Sequence, residues 1–159
     1  MDLSNKTAIV TGGCGGLGLA ISHALLEASA NVVAVDINRN LISKFTEDAE
    51  KAYSGKLIAH ECDITNEAAL EGLFKAAEDK FGQIDIVVNN AGIMDRFEPV
   101  GELDMSLWNK VIAVNLTAPF AVSKLAINHF LAKGVQGRIV NVGSASSEEG
   151  FAAGKCTSV

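Results

Sequence analysis

Short β-branched runs alternate along this chain with longer stretches in which apolar residues recur every three or four positions. Thr7-Ala8-Ile9-Val10 reads as a buried strand. Leu17 to Ala28 follows as a helix, with Leu17, Ile21, Ala24 and Leu25 at helical spacing. Asn31 to Val35 is a second strand, and a polar helix runs from about Arg39 to Lys51. Lys56 to His60 is a third strand. A helix after Thr65 then places Leu70, Leu73, Phe74 and Ala77 on one face. Ile84 to Val88 is the fourth strand, a long helix spans about Ser106 to Lys133, and Arg138 to Val142 is the fifth strand. Strands separated by helices predict right-handed βαβ units. The expected fold is therefore α/β, a doubly wound, Rossmann-like parallel sheet of about five strands with helices on both faces. With no repeat, low-complexity tract or linker, residues 1–159 read as one domain.

Composition changes this picture little. Hydrophobic residues make up 48% and charged residues 20% of 159 residues, ordinary for a soluble domain with a core. A net charge of −6 offers no broad basic surface, so neither nucleic acid nor an anionic membrane is an expected partner. The start, Met1 to Lys6, has no apolar h-region. The long apolar stretches are broken by polar residues, so no transmembrane helix is expected. Cys14, Cys62 and Cys156 are odd in number and scattered, which reads as free thiols in a reducing, cytoplasmic setting, not a disulfide framework or a zinc site.

The chemistry begins after the first strand, at Thr11-Gly12-Gly13-Cys14-Gly15-Gly16-Leu17-Gly18. Glycines there let the backbone turn sharply and approach a pyrophosphate, while the next helix offers its N–H groups and positive dipole end. The run fits several spacings at once. Gly13, Gly15 and Gly18 satisfy GxGxxG; Gly12, Gly16 and Gly18 satisfy TGxxxGxG; Thr11, Gly12, Gly15 and Gly18 satisfy TGxxGxxG. Asp36 closes the second strand, eighteen residues after Gly18. A carboxylate there accepts hydrogen bonds from the adenosine ribose and repels a 2′-phosphate, which selects NAD over NADP. Arg39 is close enough to offer a 2′-phosphate an opposing cation. Leu17 and Ile37, beside the loop and the acid, join them as expected cofactor contacts.

Further along, Asp63-Ile64 follows the third strand, Asn89-Asn90-Ala91-Gly92 the fourth, and Gly143-Ser144 the fifth. Asn115 stands in an almost wholly apolar run, with Pro119 four residues on. Pro119 has no N–H to offer the Asn115 carbonyl and disturbs the helix at that turn, freeing the carbonyl for a water. These segments, in this order, resemble classical short-chain dehydrogenases/reductases, whose loop spacing is TGxxxGxG. The TGxxGxxG spacing belongs to the extended branch, and NNAG favours the classical one.

The resemblance implies that Asp63 and Ile64 contact the adenine. It implies that Asn90, Ala91 and Gly92 shape the sheet and touch the ribose, and that Asn115 holds a relay water. Ser144 would then bond the oxygen of a small-molecule alcohol or carbonyl substrate, with Ser146 and Ser147 as nearby alternatives.

The family's acid/base residue, a Tyr in Tyr-x-x-x-Lys, has no counterpart. The only tyrosine is Tyr53, and Phe151 to Lys155 copies the spacing with a ring that carries no hydroxyl. The resemblance therefore covers the N-terminal part of a family member, ending at Val159 before the Tyr is expected. On this reading the fifth strand is an exposed sheet edge, and the long helix keeps an apolar surface that favours homo-oligomers. The expected activity is NAD-dependent hydride transfer between a secondary alcohol and a ketone, with little turnover by these 159 residues alone. The alternative is a non-catalytic dinucleotide-binding or interaction module. A methyltransferase-like fold shares the glycine loop and Asp36 but not NNAG or the Asn115–Pro119 pair.

Overall fold

A computed structural model of the chain describes residues 2–94 and 99–144. Five strands, β1 (Thr7–Thr11), β2 (Asn31–Asp36), β3 (Leu57–Glu61), β4 (Ile86–Asn89) and β5 (Arg138–Asn141), form one parallel sheet in the order β3-β2-β1-β4-β5. After β1 the chain builds outward to β3, then returns to lay β4 on the other side of β1. That reversal opens a crevice at the carboxyl ends of β1 and β4, where doubly wound sheets bind their ligands.

The helices are α1 (Gly16–Glu27), α2 (Arg39–Glu50), α3 (Glu67–Phe81), α4 (Met105–Ile112) and α5 (Ala118–Lys133), with a π-helical turn (Ala113–Thr117) joining the last two. The expected doubly wound fold is what forms. Its strands are apolar on both faces because both are covered. Ile9, Val33, Val35 and Val87 pack under Leu70, Leu73, Phe74, Ala118 and Val122 of α3 and α5. Their neighbours Val10, Val32, Ala34 and Val88 face the other way, under Leu26, Phe45 and Ala49 of α1 and α2. Leu70, Leu73, Phe74 and Ala77 are the buried residues of α3, as its spacing predicts.

At the amino ends of the strands, polar groups fix the register. Asp85, only 3% exposed, accepts from the Lys6 ammonium (2.9 Å), the Thr7 amide (3.0 Å) and the Gln83 side chain (2.7 Å). Burial pushes its carboxyl up, but these three donors and the Lys6 charge together hold it below the ordinary carboxylate value. One residue earlier, the Ile84 amide donates to His129 Nε2 (3.0 Å), leaving Nδ1 to donate to Glu78 (3.0 Å). The segment read as the start of the fourth strand, Ile84-Asp85, is thus a buried polar junction, and β4 begins after it.

The long helix is disturbed near Asn115, where the π turn Ala113–Thr117 interrupts it. One expectation about it changes: Met105–Lys133 together span 29 residues with a mean hydropathy of 1.4 in the most apolar window, so by length and composition this helix could cross a membrane. Here Val111, Ala118, Val122, Ala126 and Phe130 are buried, most of them in the core that α5 forms with α3 and the sheet, while the opposite side stays open. Leu116, Phe120 and Leu131 are 51%, 68% and 77% exposed. Among the described residues β5 is one edge of the sheet, with Val140 49% exposed.

Candidate functional site

The glycine run leaves β1 and enters α1 along a sharply turned path that needs glycine at several positions for different reasons. Gly12 and Gly16 adopt φ of +62° and +50°, values that L side chains rarely take. A Cβ on Gly18 would collide with the Gly12 carbonyl oxygen and lie 2.6 Å from Asn90 Nδ2. Gly15 is extended at φ −143°. The backbone therefore depends on Gly12, Gly16 and Gly18, the TGxxxGxG positions, and also on Gly13, where a Cβ would lie 2.7 Å from the Val10 carbonyl oxygen.

The start of α1 also differs from its neighbours. The side chains of Asn38, Asn66 and Asp104 accept from the first amides of α2, α3 and α4, whereas α1 begins at Gly15 with no side-chain cap and no acid in its first turn. Gly15, Gly16 and Leu17 line a cleft of about 760 Å³, so these amides and their dipole face a space suited to an anion.

The loop is tied to the end of β4. Thr11 Oγ1 accepts from the Asn90 and Ala91 amides (3.0 and 3.1 Å), and Asn90 Nδ2 donates to the carbonyls of Thr11 (2.9 Å) and Gly12 (3.3 Å). Asn89 reaches the other way, donating to Ser123 Oγ (3.1 Å) and Asn141 Oδ1 (2.8 Å) and so joining β4 to α5 and β5. Asn90, Ala91 and Gly92 all line the cleft together with the glycine loop.

Asp36 stands at the cleft wall, where Oδ2 accepts from the Cys14 amide (3.3 Å) and Oδ1 from the Asn38 amide (3.0 Å). Ile37 beside it is 65% exposed and Leu17 59%, apolar surface on the cleft lining. Asp63 Oδ1 accepts from the hydroxyl and amide of Thr65 (2.7 and 2.9 Å), and these bonds hold its carboxyl below the usual range. Ile64 is 8% exposed and acts as much as core as cleft wall.

Three further cleft residues, Ile93, Lys110 and Val114, carry no sequence signal, because only packing of the α4–π segment brings Lys110 and Val114 over the sheet. Burial, reinforced by the Asp36 charge, pushes the Cys14 thiol up to about 12. Burial with the Asp63 charge pushes Cys62 up to about 11, so both stay protonated at neutral pH.

Next to this cleft, Asn115 and Ser144 line one cavity of about 610 Å³ together with Gly92, Ile93, Met94, Pro119 and Val142. The Asn115 carboxamide clamps the backbone of Ile93, accepting from its amide and donating to its carbonyl, both at 2.9 Å. The amide in the apolar run thus satisfies itself on the loop after β4, and the π turn lies where Pro119 interrupts the ladder. Asn115→Ala leaves both Ile93 groups without these partners. It is expected to cost about 1–3 kcal/mol in urea unfolding, with Asn115→Asp between it and the parent.

Tyr53 follows α2, 6.1 Å from His23 between ring centroids, and lines neither cavity. Ser146, Ser147, Phe151 to Lys155 and Cys156 lie outside the described residues.

The residues present fit a dinucleotide. They supply a tight backbone cradle, an uncapped helix start, a carboxylate at the end of β2 and apolar walls beyond it. Such a crevice at the switch point of a parallel sheet defines a Rossmann-like α/β protein. More narrowly, the chain belongs to the short chain dehydrogenase family, whose family model matches residues 6–156.

The short chain dehydrogenase/reductase dpfgG of Gibberella zeae is 47% identical over 97% of this chain and 57% of its own length. The dpmpG protein of Macrophomina phaseolina, of the same description, is 42% identical over 98% of this chain and 89% of its own. An NAD+-bound xylitol dehydrogenase structure superposes with a TM-score of 0.88 at 29% identity, over 95% of this chain and 57% of that one. This chain therefore spans little more than half the length of the first of these relatives and of the solved structure.

Proposed function

We propose that this chain is the cofactor-binding part of an oxidoreductase that uses NAD(H) in preference to NADP(H) on a small alcohol or carbonyl substrate. The observation that carries the reading is Asp36, fixed by two backbone amides on the wall of the glycine-loop cleft with no cation among its hydrogen-bond partners. A carboxylate so held accepts from ribose hydroxyls and repels a phosphate in their place. The likeness to a solved NAD+-bound dehydrogenase supports the same choice.

The open start of α1 holds the pyrophosphate, and Leu17, Ile37 and the Asp63-Ile64 wall enclose the adenosine end. A nicotinamide held there would supply hydride exchange with a secondary alcohol carbon or a ketone. In the adjoining cavity, Ser144 donates to the substrate oxygen and the Asn115 carbonyl holds a water. No tyrosine of this chain stands beside them to take the alcohol proton, so the 159 residues bind cofactor without turning over substrate. The buried thiols of Cys14 and Cys62 support a reducing cytoplasmic setting, and exposed Leu116, Phe120 and Leu131 support self-association.

The test is a fluorescence titration with NADH and NADPH beside an assay with NAD and secondary alcohols. NADH is expected to bind at least about tenfold tighter than NADPH, the equivalent of roughly 1.4 kcal/mol, with no turnover. Equal affinities would overturn the NAD assignment. Turnover at the rate of a longer relative would overturn the binding-only role.

A further inference from the structure

Arg39, the first residue of α2, is the basic residue nearest in sequence to Asp36, and a guanidinium at that place is what a 2′-phosphate would need. It is already engaged, with Nε 2.7 Å from Glu61 Oε2. Glu61 closes β3 in direct register with Asp36 on β2, so two carboxylates stand side by side at the carboxyl edge of the sheet. The Arg39 charge answers Glu61, while Asp36 is met by backbone amides alone.

We propose that Glu61 is a specificity-determining residue: by holding Arg39 it withholds the cation that a 2′-phosphate would recruit, and so completes the preference for NAD that Asp36 begins. The inference rests on the NAD reading above. Neither Glu61 nor Arg39 lines the cleft as it stands. Arg39, at the start of α2 three residues after Asp36, is the one whose long side chain would swing toward a 2′-phosphate, so Glu61 acts on the cofactor by holding it back. For Arg39 to reach a 2′-phosphate it must first leave Glu61. The phosphate would then face Asp36 with a second, unpaired carboxylate close by.

The pair is open to solvent, with side-chain exposures of 80% for Arg39 and 46% for Glu61. Exposed ion pairs are weak, so the effect is modest and falls with salt. Among carboxylate-to-amide changes, Glu61→Gln keeps the shape and removes the charge.

The experiment is calorimetric or fluorescence titration of the 159-residue chain with NADH and with NADPH at low and high salt. It uses the parent, Glu61→Gln, Arg39→Ala and the double variant. Glu61→Gln is expected to tighten NADPH about fivefold at low salt, less at high salt, with NADH unchanged within about twofold. Adding Arg39→Ala is expected to erase that gain, and Arg39→Ala alone to leave NADPH near the parent value. A gain that survives in the double variant would overturn the proposal, because the carboxylate would then act by its own charge. So would Glu61→Gln with no gain while the parent still prefers NADH. Equal affinity of the parent for both cofactors would overturn the underlying NAD reading instead.

Discussion

Gly18→Ala is expected to abolish NADH binding and to lower stability by about 3 kcal/mol. The added methyl meets the Gly12 carbonyl and the Asn90 amide, and neither has room to yield. Gly12 belongs to the turn that makes the cradle, and Asn90 is held by Thr11 through its own backbone and side chain. Pushing them apart opens the contact between the glycine loop and the end of β4 on which the cleft depends.

Gly16→Ala is the informative comparison. Its Cβ would meet nothing within 4 Å, so only the positive φ is strained, at about 1–2 kcal/mol. Urea unfolding and NADH titration on both variants separate the two effects. If Gly18→Ala unfolds at the parent midpoint and binds NADH normally, the packing account of the loop is wrong.

The second large effect is at Asp85. Asp85→Ala removes the acceptor of the Thr7 amide, which is 1% exposed, and of the Gln83 side chain, while Lys6 can turn to water. A cost of about 3 kcal/mol is expected at neutral pH, a large share of the roughly 5–15 kcal/mol that holds a domain folded. The folded-state pKa is lowered, so this stabilisation is complete above the unfolded carboxylate value and fades as pH falls through the folded one. The difference between parent and Asp85→Ala should therefore be flat from neutral pH to about pH 5 and shrink below about pH 4. Equal differences at pH 7 and pH 3.5, read by denaturant unfolding, would remove the carboxylate from the account.

What the sequence made legible follows the range of the interactions. Leu70, Leu73, Phe74 and Ala77 report their helix and its buried face because both depend on neighbours within a few turns. The glycine run was legible as a phosphate loop but not in its spacing. Glycines at 12, 13, 15, 16 and 18 satisfy every template, and the positive φ of Gly12 and Gly16 and the close approaches at Gly13 and Gly18 exist only in the folded loop. Asn115 stood out as a polar group in an apolar run beside a proline.

Its partner Ile93 was illegible, since the loop after β4 must first fold back. Asp85 lay inside a run read as strand, and its donors Lys6 and Thr7 come from 79 and 78 residues away. Lys110 and Val114 reach the cleft only through the way α4 and the π turn sit over the sheet.

The pairing of β1 with both β2 and β4 also has a consequence for synthesis. β1 is the innermost and most completely buried strand, yet its second neighbour ends only at Asn89. A chain leaving the ribosome therefore carries Thr7–Thr11 with one side unpaired while the next several dozen residues are made. Over those lengths the nascent chain offers an apolar, open edge to anything nearby, so its need for a holding chaperone is greatest between completion of β2 and emergence of β4. Once β4 has docked, β4 is the open edge until β5 pairs with it; among the described strands the edge then lies at β5, a strand of four residues that begins with a charged arginine.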